Sequence, residues 1–175
     1  MSLQIFILGI LSEGEHHPYD LKKQVLKPID NSFPINDGTL YYNFEILNKK
    51  GLIRKIKVVQ SDNRPEKTTY GITEKGREAL VEEIYSIFQN FTNVTSLYSS
   101  LLFLDKVDRK KLAYLIEEAI ERLNKRKLLI ENSDPELSTV PDSQKIPVRL
   151  ISDHAYHSVQ NDINWLHKLL LEVRS

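Results

Sequence analysis

Residues 36–53 read NDGTLYYNFEILNKKGLI, a stretch that carries a helix start, one apolar seam and a helix stop within a single run. Asp37 is a good N-terminal cap, and Gly51 is the residue expected just past the last turn. Leu40, Phe44 and Leu47 recur at i, i+4 and i+7, the spacing of one buried face. At about 100° per residue, Gly38, Tyr42, Glu45 and Lys49 fall on the opposite face, with Tyr41 on its flank. Half of this helix therefore belongs to a core, and the other half needs a partner.

The sequence on either side defines its setting. Upstream, Leu3, Phe6, Ile7, Ile10 and Leu11, filled in by Ile5 and Leu8, predict a first helix buried nearly all round. Its flanks lack the basic n-region and the cleavage site of a signal peptide, and Glu13 and Glu15 end it short of a membrane span. Pro18 opens a short second helix with Tyr19, Leu21, Val25 and Leu26 as its stripe and Pro28 as its stop. Residues 31–36 form a loop. Downstream, Leu52–Val59 and Lys67–Ile72 alternate as strands, separated by a turn at Ser61-Asp62-Asn63-Arg64-Pro65. Three helices followed by a strand, a turn and a strand is the layout of a winged helix-turn-helix.

Composition supports a soluble globular chain: 41% hydrophobic, 27% charged, no cysteine and zero net charge over 175 residues. A cytoplasmic protein fits, with neither disulfides nor a thiolate metal site. The charge is unevenly distributed. Between Lys49 and Arg77 nine basic residues face three acidic ones, the footprint of a surface that meets a polyanion.

Thr73 caps a further helix carrying Leu80, Ile84, Ile87, Phe88 and Phe91. Asp108 caps a long one whose stripe is Leu112, Leu115, Ala119, Leu123 and Ile130. The run from Asn132 to Pro147 contains three prolines and is expected to be a loop. The last helix, about Val148 to Val173, sets Val148, Ile151, Ala155, Val159, Ile163, Leu166 and Leu170 at steps of three and four, close to a heptad seam. These stripes exceed what the helices can bury among themselves, so self-association is expected. The fold class is mainly α with a small β-hairpin. Residues 1–92 make the winged helix with its linking helix, and residues 93–175 make a helical dimerisation domain.

Three runs in order, Gly38-Thr39-Leu40-Tyr41-Tyr42, Leu47-Asn48-Lys49-Lys50-Gly51-Leu52-Ile53 and Tyr70-Gly71-Ile72-Thr73-Glu74-Lys75-Gly76-Arg77, resemble the signature of the PadR family of bacterial transcriptional regulators. Ile7-Leu8-Gly9-Ile10-Leu11 and Pro18-Tyr19-Asp20-Leu21 look like that family's first two helices, and Trp165-Leu166 is similar to a pair in the last helix of its longer branch. The resemblance implies a homodimer that places two winged helices on a palindromic operator. It further implies repression and release by a small-molecule effector, and no enzymatic activity or cofactor.

For DNA contact the candidates are Asn36, Thr39, Tyr41, Tyr42, Asn43 and Lys49 on the third helix, and Arg64 and Lys67 flanking the wing tip. Tyr41 is divided between a core contact and the groove, and Tyr42 is the tyrosine expected to touch the duplex. Phenolic-acid-sensing relatives point to Tyr19 and His154 for the effector. His154 and His157 share a helix face at i, i+3, but no HExxH run or thiol accompanies them, so no metal site is expected. The alternative to DNA is a protein-interaction module whose basic face meets an acidic partner.

Overall fold

The computed structural model describes residues 2–21, 36–61, 64–132 and 139–175, with the side chains of residues 37, 58–61 and 64–67 excepted. The elements are α1 (Leu3–Leu11), α2 (Pro18–Leu21), α3 (Asp37–Lys49), β1 (Ile53–Ser61), β2 (Arg64–Ile72), α4 (Glu74–Asn90), α5 (Tyr98–Leu101), α6 (Arg109–Asn132) and α7 (Asp142–Arg174). Two compact units result, one of Met1–Ile87 with Phe91–Lys106 and one of Phe88–Asn90 with Val107–Ser175. Helix α4 contributes to both. The expected features at Val25, Leu26 and Pro28, the loop at residues 31–35, and the residues 62–63 of the turn lie outside the described residues.

In the first unit the fold is a winged helix-turn-helix, and its assembly turns on the end of α3. Lys50 ends the helix and Gly51 follows at φ 72°, a left-handed conformation that a Cβ would strain. The Gly51 N–H donates to the Asn48 carbonyl at 3.0 Å and the Leu52 N–H to the Leu47 carbonyl at 3.0 Å. These are the paired bonds of a Schellman stop, and the two residues that its longer bond joins, Leu47 and Leu52, are both buried.

The released chain then enters β1, which pairs antiparallel with β2. Helix α4 is fastened to the same place. The Thr73 hydroxyl accepts from the Gly76 N–H at 3.0 Å and donates to the Gly51 carbonyl at 2.7 Å, while the Lys75 ammonium donates to the Lys50 carbonyl at 3.0 Å. A Cβ at Gly76 would lie 2.0 Å from the Leu52 carbonyl oxygen, so only glycine allows this approach. The spacing of the Gly-Leu-Ile and Thr-x-x-Gly runs thus has a physical cause: the two runs touch.

Both strands run further toward the tip than the sequence suggests, reaching Ser61 and starting at Arg64. Arg64 and Pro65, expected in the turn, belong to β2. The ladder slips between Val59↔Lys67 and Ser61↔Arg64, leaving Pro65 in the irregular step, where a residue without an N–H costs no ladder bond. A second slip between Lys55 and Lys57 makes Ile56 the extra residue of β1. His16 adds an isolated antiparallel bridge to the edge of β2, exchanging two backbone hydrogen bonds with Tyr70 at 3.1 and 3.0 Å. This bridge had no alternating pattern to announce it.

In the second unit α6 pairs Glu117 with Arg174 and Lys127 with Gln160, so α6 and α7 run antiparallel. Asp108 caps α6 as expected, accepting from the Lys111 N–H at 2.7 Å. Leu112, Leu115, Ala119 and Leu123 are buried, as are Val159, Ile163, Leu166, Leu170 and Val173 on α7. The loop drawn to Pro147 ends earlier, because α7 begins at Asp142 and carries Pro147 inside it. At the sixth helical position proline forfeits a single backbone bond. The Asp142 carboxylate, favourable in a first turn, also holds Lys145 at 2.6 Å.

Candidate nucleic-acid interface

Helix α3 separates its two faces sharply. Leu40, Phe44 and Leu47 are each 1% exposed, whereas Thr39, Tyr41, Tyr42, Glu45 and Lys49 are exposed. Phe44 packs on Tyr70 of β2 with ring centroids 5.0 Å apart, which joins the core side of α3 to the hairpin. Tyr42 is 64% exposed and Lys49, seven residues on, returns to nearly the same azimuth. Tyr41 is 44% exposed and meets the His17 ring edge to face with centroids 6.4 Å apart, so it stands partly against the residue that precedes α2.

The cap of α3 differs from expectation by one residue. Asn36, not Asp37, has the extended backbone of a cap, and its side-chain oxygen accepts from the Gly38 N–H at 2.8 Å. Asp37 is the first helical residue, where its charge favours the helix dipole. The cap occupies the Asn36 oxygen and leaves its amide donors facing solvent. Asn43 is half-buried and donates back to the Thr39 carbonyl at 2.8 Å, so its amide is turned onto its own helix.

Backbone positions put Arg64 and Lys67 in β2 beside the tip; their side chains lie outside the described residues. Arg54, Lys55 and Lys57 of β1 are exposed, continuing the basic run from α3 into the hairpin. Burial raises the Tyr70 phenol above its ordinary range, and the charge of Glu45 and the neighbouring Tyr41 add to the rise. The outward face of α3 is thus not uniformly basic. Glu45, which the sequence shows on the polar face without giving it a role, sets a carboxylate between Tyr41, Tyr42 and Lys49.

The remaining candidates are distributed over both units. Tyr19 is exposed on α2, its N–H donating to His17 Nδ1 at 3.1 Å. His154 is exposed on α7. His157 Nδ1 lies 2.9 Å from the Asp153 carbonyl and 3.4 Å from its carboxylate. Among the described residues no group of three or more His, Asp or Glu side chains is arranged to hold a metal ion. Of the α7 seam, Val159, Ile163, Leu166 and Leu170 are buried within the chain itself, while Val148 and Ala155 are half-buried and Ile151 is 69% exposed. No described helix is long and apolar enough to cross a membrane.

Residues 7–82 match the model of the transcriptional regulator PadR-like family. Among solved structures, smu.1604c from Streptococcus mutans is similar at 25% identity, covering 98% of this chain and 99% of that one, with a TM-score of 0.43. Bacillus subtilis PadR in complex with operator DNA is similar at 18% identity over 98% of each chain, with a TM-score of 0.42. The Clostridium thermocellum transcriptional regulator Cth-833 reaches 27% identity over 48% of this chain and 78% of that one, with a TM-score of 0.41. No curated protein matches the chain. The matched span begins in α1, contains α2, α3, β1 and β2, and ends within α4: residues 7–82 of this chain belong to the PadR-like family of transcriptional regulators.

Proposed function

We propose that the chain is a PadR-like regulator of transcription that binds a palindromic operator as a homodimer, represses from it in the cytoplasm, and leaves it on binding a small molecule. The observation that carries this reading is the outward face of α3, where Tyr42 stands 64% exposed directly behind a seam that is 1% exposed. A helix so divided, followed by a hairpin with exposed Arg54, Lys55 and Lys57, suits a major groove flanked by phosphates.

In this reading Thr39, Tyr42 and Lys49 enter the groove, and Asn36 offers its amide donors at the helix start. Tyr41 and Asn43 support the face from its flanks. Arg64 and Lys67 lay the wing along the backbone, where contacts fix position without reading sequence. Self-association uses the end of the helix pair at which α6 finishes and α7 starts. There Leu128 and Leu129 of α6 and Ile146, Leu150 and Ile151 of α7 are all exposed, and Val148 and Ala155 continue the patch. Tyr19 and His154 are the effector-binding residues of this reading. A change in the α7 arrangement would alter the spacing of the two α3 helices, and only an effector preferring one spacing regulates.

The test is a mobility-shift titration on the DNA upstream of the chain's own gene, against a scrambled duplex of equal length, at several salt concentrations. A complex on the upstream DNA that survives excess scrambled duplex supports the reading. Equal, weak binding to both would overturn it in favour of a basic face that meets an acidic protein.

A further inference from the structure

Glu45 is the acidic member of an otherwise neutral and basic face. It lies three residues after Tyr42 and four before Lys49, which sets all three on one stripe of α3, each about one turn from the next. Its side chain is exposed, and among the described residues no cation lies within ion-pair distance of its carboxylate. Asn43, the neighbouring amide, is turned back onto the Thr39 carbonyl. The groups left to address a base at mid-helix are therefore a phenol, a carboxylate and an ammonium.

A carboxylate facing a polyanion weakens binding to every sequence alike, because it repels phosphates and surrenders its own hydration. That loss is recovered only where the duplex presents a donor. A carboxylate is acceptor-only. In the major groove the donors are the amino groups of cytosine and adenine, and adenine sets its N7 acceptor beside the amino group, against the second carboxylate oxygen. Resting on the reading of α3 as the recognition helix, we propose that Glu45 is a specificity-determining residue that accepts a hydrogen bond from the N4 amino group of one cytosine in each operator half-site. It excludes other sequences as much as it attracts this one, a device that lowers general affinity and raises discrimination.

The experiment is enrichment from a randomised duplex pool with the full chain and with Glu45→Gln and Glu45→Ala, followed by titration of single-base variants of the enriched duplex. Circular dichroism confirms the fold of each variant, which an exposed position should preserve. The wild type is expected to enrich a two-fold symmetric sequence with cytosine at one fixed position per half-site. Glu45→Ala is expected to lose that cytosine preference by about five- to hundredfold while binding unrelated duplex at least as well. Glu45→Gln, a donor and acceptor together, is expected to shift the same position toward adenine. If the wild type enriches a sequence and both variants enrich it unchanged, the role of Glu45 is refuted while the DNA-binding reading stands. If the wild type enriches nothing, the reading of α3 fails and the inference falls with it.

Discussion

Tyr42, Gly76 and Asp162 represent three different demands on single residues. Tyr42 is 64% exposed and has no hydrogen-bond or ring partner among the described residues, so Tyr42→Ala should leave the thermal midpoint within about a degree while weakening operator binding by about 1–3 kcal/mol. Gly76 shows the reverse. A Cβ placed 2.0 Å from the Leu52 carbonyl oxygen must push α4 off the end of α3, and Gly76→Ala should cost about 2 kcal/mol in a urea melt. Asp162 is half-buried on α7, and burial raises its carboxyl pKa against the opposing pull of Arg126. A folded pKa above the unfolded one gives stability that is full below the unfolded pKa and lost as pH rises through the folded pKa. Asp162→Asn should therefore raise the melting temperature at neutral pH, and its advantage should fade as pH falls below the ordinary carboxylate range. The core residues of α3 were legible in the sequence because periodicity reports burial. The cap was displaced by one position, since Asn36 and Asp37 are both competent caps and only the backbone dihedral decides between them.

Among the elements, those whose starts and stops are encoded locally were read well. Thr73 caps α4, Asp108 caps α6, and Gly51 stops α3. Helix α7 starts earlier than its sequence suggests because the rule that keeps proline out of helix interiors weakens near a helix start, where Pro147 lies. Pro147→Ala should accordingly stabilise the second unit by about 1 kcal/mol, measured by thermal melting. The hairpin was read short for a related reason, since Pro65 sits in an irregular step of the ladder that no local pattern reveals. If the wing lies along phosphates, Arg64→Ala and Lys67→Ala should each reduce the slope of log affinity against log salt by about one unit without altering which sequence is preferred. An altered preference would make the wing a reader of bases instead.

For the molecule as a whole, the sequence revealed a surplus of apolar stripe but not its distribution. A seam of threes and fours looks the same whether its partner is a neighbouring helix or a second chain. The structure buries Val159, Ile163, Leu166 and Leu170 within the helix pair and leaves Ile151 exposed, along with Ile146, Leu150, Leu128 and Leu129. If the exposed patch joins two chains, sedimentation should give a dimer for the wild type and a monomer for the Leu129→Lys/Ile151→Lys double variant, and affinity for a palindromic operator should fall with it, because a palindrome rewards two linked readers. The zero net charge of the chain conceals the basic run from Lys49 to Arg77, which acidic residues elsewhere offset.

Recognition through the outward face of α3 is tested most directly by the affinity of wild type and Tyr42→Ala for the enriched operator and for a scrambled duplex, at one salt concentration. The wild type should prefer the operator strongly, and Tyr42→Ala should lose most of that preference while keeping its affinity for the scrambled duplex. Equal preference in the two proteins would place recognition on some surface other than this face.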